Sequence, residues 1–136
     1  MTRPIRISSV LLATVLICGC GSDNPSPNAP TPVSITEAST GTLTVNGAST
    51  FQFTVQQTGS VTATLTTLSD VAATVGLSLG TFNVAGACQI IIANDNATQG
   101  ITVAGTATAT GTFCARLYDV GKLTAPVDYQ ISVTHY

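Results

Sequence analysis

The sequence runs to 136 residues, 44% of them hydrophobic and only 7% charged, with no tryptophan and a formal charge of −2. That length holds about one domain, and the acidic balance argues against a nucleic-acid binder, whose phosphate contacts need a basic patch. The apolar fraction is too high for a disordered chain.

Arg3 and Arg6 precede an apolar stretch from Ile7 to Ile17. The stretch is shorter than the roughly 18 residues of a bilayer-spanning helix and suits the h-region of a cleaved export signal. Ile17-Cys18-Gly19-Cys20 closes it. A lipoprotein peptidase needs a small residue before the modified cysteine. Cys20 has Gly19 there, whereas Cys18 has Ile17. Residues 1–19 therefore read as a bacterial lipoprotein signal peptide, with Cys20 as the lipidated first residue of the mature chain. An ordinary secretory signal with a chance cysteine is the alternative. The resemblance to lipoproteins implies a diacylglycerol on the Cys20 sulfur and an acyl group on its amine, and two or more chains anchor a protein stably. Gly21, rather than Asp, follows the cysteine, which in the lipoprotein sorting pattern points to the outer membrane.

Residues 20–33 carry Pro25, Pro27, Pro30 and Pro32 among Ser, Asn and Thr, without apolar periodicity. They read as an extended linker, rising about 3.1 Å per residue and reaching up to roughly 35 Å.

From Cys20 onward six acids oppose only Arg116 and Lys122, a formal charge of −4. With Cys18 removed and Cys20 capped, Cys88 and Cys114 remain. Export to an oxidising compartment favours a disulfide between them. The alternative is a thiol pair for metal or redox chemistry, but neither cysteine sits in a CxxC and His135 is the only histidine.

From residue 34 to 136 the period is two. Phe51–Gln56, Val61–Thr66 and Val127–Thr134 alternate apolar with polar residues, one face for a core and one for water. Val75–Leu79, Gly100–Ala107 and Thr112–Tyr118 read as less regular strands. Cys88–Ala93 is nearly continuous and apolar, as expected of a central strand buried on both sides. Turns are expected at Asn46-Gly47, Thr58-Gly59, Ser69-Asp70, Gly80, Asn94-Asp95-Asn96, Gly111 and Gly121. About eight short strands at this spacing predict an all-β domain, an antiparallel β-sandwich or jelly roll, with a barrel as the alternative. The expected core is Phe51, Phe53, Val61, Leu65, Leu77, Ile90, Ile92, Phe113, Leu117, Tyr129, Ile131 and Val133.

Gly41-Thr42-Leu43, Phe51-Gln52-Phe53-Thr54-Val55 and Gly59-Ser60-Val61 through Leu65 form one motif set. Gly111 through Asp119 and Tyr129-Gln130-Ile131-Ser132-Val133 form another. Together they resemble the bacterial pre-peptidase C-terminal domain, over most of Ile35 to His135. The resemblance implies a β-sandwich of the kind appended to secreted peptidases and other exported enzymes, some of which bind calcium or extracellular polymers. This chain differs in carrying the lipoprotein-like segment where an enzyme usually stands.

No catalytic site is expected: a Gly-x-Ser-x-Gly nucleophile elbow is not anticipated, Lys122 reads as a lone loop lysine, and the acids are not paired. Asn94, Asp95 and Asn96 offer three hard oxygens and are weak calcium candidates, with Glu37 and Asp119 as further ones. Calcium wants six to eight oxygens, and these residue types also simply favour turns. Tyr118 and Tyr136 are the aromatics left for a glycan surface. The Thr62-Thr64-Thr66 and Thr106-Thr108-Thr110 rows read as solvated strand faces. The expectation is a non-catalytic binding or structural module of the cell envelope, held at the membrane by its lipid anchor, with an envelope protein or polysaccharide as partner. An accessory subunit that docks an exported peptidase or glycosidase in trans is the alternative.

Overall fold

The computed structural model describes residues 30–136. The signal peptide expected at residues 1–19, Cys20 and most of the 20–33 linker lie outside the described residues. Alternating apolar and small polar residues build eight strands: β1 (Ile35–Leu43), β2 (Ala48–Val55), β3 (Gly59–Leu68), β4 (Val75–Phe82), β5 (Cys88–Ala97), β6 (Thr102–Ala107), β7 (Gly111–Tyr118) and β8 (Val127–His135). They form two four-stranded antiparallel sheets in a sandwich, ordered β1-β8-β3-β6 and β2-β7-β4-β5.

The period of two decides what is buried. In β8, Val127, Tyr129, Ile131, Val133 and His135 point inward, while Asp128, Gln130, Ser132 and Thr134 face out. Val61, Ala63 and Leu65 of β3 lie beside them, facing Phe53, Val55, Leu77, Ala115 and Leu117 of the second sheet. Phe51 and Phe113 are half-buried against this core. Phe53 stacks on both, at ring-centroid distances of 6.3 and 6.1 Å.

The structure corrects the expected place of residues 88–93. β5 is an edge strand, and Ile90, Ile91 and Ile92 are 44%, 71% and 40% exposed. Ile90 and Ile92 therefore do not belong to the core. A continuous apolar run does not distinguish a central strand from an apolar edge. The strand buried on both faces is β4, where every residue from Val75 to Gly80 is buried. Its inward residues are Val75, Leu77 and Leu79, and its outward ones are Gly76, Ser78 and Gly80. The outward residues are small, so neighbouring strands can lie over them.

Two expected turns are also strand. Gly80 lies inside β4, at a register shift between Leu79 and Gly80. A Cβ there would stand 2.0 Å from the Gln89 carbonyl oxygen. Its glycine permits close approach of β5 rather than a reversal of the chain. Asn94-Asp95-Asn96 lies within β5. The Asn46-Gly47 turn is present: Asn46 has φ 56°, and the Gly47 amide donates to the Thr44 carbonyl at 2.9 Å.

Cys88 and Cys114 form a disulfide, with their Cα atoms 5.8 Å apart. Cys114 stands opposite Gly80 and Cys88 opposite Phe82. The bond thus reaches from β7 over β4 to the edge strand β5, through the space that Gly80 leaves.

Candidate functional site

The outer face of the second sheet is assembled from β7 side chains laid over β4. Register places Tyr118 beside Gly76, Arg116 beside Ser78 and Cys114 beside Gly80. The Tyr118 ring covers Gly76 so closely that a Cβ there would lie 2.2 Å from a ring carbon. Its hydroxyl donates to Asp95 of β5. Burial first, then the hydrogen bond and the charge of Asp95, push the Tyr118 phenol up to about 12. The Arg116 guanidinium sits 5.7 Å from the centre of that ring. This is a cation–π arrangement.

Beside this row an open groove of about 430 Å³ is lined by Arg116, by Ala48, Thr50 and Gln52 of β2, and by Phe82, Gly86, Ala87 and Cys88 at the β4–β5 turn. Arg116 and Phe82 are half-buried, while Thr50 and Gln52 are exposed. Among the described residues no carboxylate lies within ion-pair distance of Arg116.

The calcium candidates do not point to a common centre. The Asn94 Oδ1 accepts from the Asn96 amide at 2.9 Å. Asp95 accepts from Tyr118, and Asn96 Oδ1 accepts from Lys122 Nζ at 3.0 Å. Glu37 Oε1 accepts from His135 Nε2 at 2.9 Å. Asp119 takes the backbone N–H groups of Asn46, Gly121, Lys122 and Leu123 at 2.8 to 3.1 Å. Those donors, Asn46 foremost, lower its pKa from the ordinary value against an opposing desolvation. The carboxylate ties the β1–β2 turn to the loop after β7.

Contrary to expectation, the chain does carry a Gly-x-Ser-x-Gly string. Residues 76–80 read Gly-Leu-Ser-Leu-Gly. A nucleophile elbow, however, presents its serine on an exposed strand-to-helix turn. Here Ser78 is buried at 0% exposure within β4 and donates to the Arg116 carbonyl at 3.3 Å. The buried His135 is 5.0 Å from the Phe53 ring and is taken up with Glu37.

The Thr62-Thr64-Thr66 row is broken. Register shifts between Leu65 and Thr67, and Thr66 donates to the Gln130 carbonyl instead. Of the other row only Thr106 lies in a strand.

A second surface lies along β5. Ile91 and Ile92, with Leu79, Phe113, Val61 and residues 105–107, line a shallow apolar groove of about 50 Å³ between the edges of the two sheets.

In the sequence Asp95 stood out only as a calcium candidate and Tyr118 only as a glycan-surface aromatic, not as a pair, and Arg116 and Phe82 did not stand out as a site. The available signals were the small residues alternating with Val75, Leu77 and Leu79, and a single arginine after residue 20. No protein-family model matches this chain. No curated protein matches it either.

Proposed function

We propose that this chain is a lipid-anchored, non-catalytic binding or structural module of the cell envelope, in the class of pre-peptidase C-terminal-like domains, attached to the outer membrane through Cys20. The observation that carries this reading is the Cys88–Cys114 disulfide. Such bonds persist in oxidising compartments outside the cytosol. An exported domain preceded by a lipoprotein-like segment is the economical account of that bond together with Cys20. The buried, hydrogen-bonded Ser78 and His135 support a role without covalent chemistry. The test is fractionation of the native host expressing the protein or its Cys20→Ser variant. The native protein is expected with outer membranes and the variant in the soluble envelope fraction. A variant still membrane-bound would contradict the anchor.

A second reading, an accessory subunit docking an exported peptidase or glycosidase in trans, is favoured by β5. Among the described residues no strand pairs with its outer edge, and its exposed residues include three successive isoleucines. An extended apolar segment of an enzyme could add to that edge as a further antiparallel strand. Copurification of such an enzyme, lost in Ile91→Glu, supports this reading; copurification unaffected by that change opposes it.

A further inference from the structure

The groove beside Arg116 has the makings of a ligand site, and the inference from it rests on the envelope-module reading above. Arg116 is the only arginine among the described residues. It is half-buried, it is set over the Tyr118 ring at 5.7 Å, and no acid pairs with it there. Tyr118 is in turn held by Asp95, so the guanidinium rests on a fixed platform. A guanidinium fork is matched to planar oxyanions, which it grips with two parallel hydrogen bonds. Thr50 stands directly across from Arg116 in the β2–β7 register, with Gln52 one step along the same face. A hydroxyl and a carboxamide thus flank the cation on the groove wall. The opposite wall carries Phe82, a half-buried aromatic ring.

We propose that this groove binds the carboxylate-bearing sugar unit of an acidic polysaccharide, with the carboxylate on Arg116, hydroxyls on Thr50 and Gln52, and the apolar face of the sugar against Phe82. The groove's lining selects the sugar unit over a bare anion. Inorganic phosphate could take the guanidinium, but it has no apolar ring face to lie against Phe82. The Cys88–Cys114 bond fixes the wall that carries Cys88. The site therefore depends on the disulfide that the envelope setting provides.

The test is calorimetric titration of the detergent-solubilised full chain with oligogalacturonate, with its fully methyl-esterified form and with inorganic phosphate. Oligogalacturonate is expected to bind more tightly than phosphate, and the uncharged ester is not expected to bind. Arg116→Gln should weaken binding by at least about tenfold, in line with loss of a charge-assisted hydrogen bond. Phe82→Ser should weaken it as well, with the melting transition of each variant recorded to show that it folds. Absence of heat with oligogalacturonate would overturn the proposal. So would equal binding of the ester, unchanged affinity in a folded Arg116→Gln, or preference for phosphate. The ester comparison needs no variant, so the proposal stays testable even if a substitution prevents folding. Failure of the anchor reading shows in the location of the Cys20→Ser protein and leaves these titrations unaffected.

Discussion

The Tyr118 hydroxyl donates to Asp95 across the face of Gly76, so β7 reaches the edge strand β5 over the top of β4. That bridge works only if position 76 has no side chain. Gly76→Ala is therefore expected to destabilise the fold by about 1–3 kcal/mol, the usual range for overpacking. Removing the ring should remove the clash: in the Tyr118→Ala background the same change should cost clearly less. Urea unfolding of the four proteins in the cycle measures this, and strict additivity would show that the ring and the glycine are independent.

The same bridge has a pH signature. Tyr118 is stabilised as the neutral phenol, with its pKa raised from 10.0 to about 12. The native state thus holds that proton more tightly than the unfolded chain. Its contribution to stability is complete below pH 10 and is lost as pH rises through about 12. Ultraviolet titration of the phenolates should show a late-ionising tyrosine that Tyr118→Phe removes. Ionisation of Tyr118 near 10 would contradict the arrangement.

Breaking the disulfide should cost about 3.5 kcal/mol, the chain-entropy value for a loop of about 27 residues. Cys88→Ser/Cys114→Ser should unfold at lower urea concentration, and a reducing agent should then have no further effect on it. Equal stability of the oxidised protein and the double variant would mean that β5 is held without the bond.

Asp119 gathers four backbone donors, so its carboxylate is preferred ionised in the fold. Its contribution is present above the ordinary carboxylate pKa of 3.8 and is lost as pH falls through the lower folded value. Asp119→Ala should speed amide exchange at Asn46 and at Gly121–Leu123, while Asp119→Asn, which keeps an acceptor, should change it less. Unaltered exchange in the alanine variant would count against this tie.

Ile91 is 71% exposed on an open edge, so Ile91→Thr should leave the melting transition nearly unchanged. It should also lower concentration-dependent association, because apolar open edges invite strand pairing. Light scattering across a concentration series measures this, and a large loss of thermal stability would mean that Ile91 is packed after all.

The architecture was legible where one face of a strand meets water and the other meets the core. The alternation in Phe51–Gln56, Val61–Thr66 and Val127–Thr134 located β2, β3 and β8, and export logic paired Cys88 with Cys114. Legibility failed at β4 and β5, where burial depends on neighbours and not on the strand's own pattern. Gly76 and Ser78 looked weakly strand-like and Gly80 looked like a turn, because the residues that cover them come from β5 and β7. Ile90, Ile91 and Ile92 looked central because hydrophobicity alone carries no edge signal. The Arg116 groove was hidden for the same reason: it joins β2, β7 and the β4–β5 turn, whose adjacency is a matter of topology.

An exported, lipid-anchored disulfide domain has a distinctive intact mass when purified from native membranes and weighed before and after reduction. A lipid-modified chain beginning at Cys20 is expected, gaining about 2 Da on reduction as one disulfide becomes two thiols. An unmodified chain that retains residues 1–19, or one with Cys88 and Cys114 already free, would contradict it.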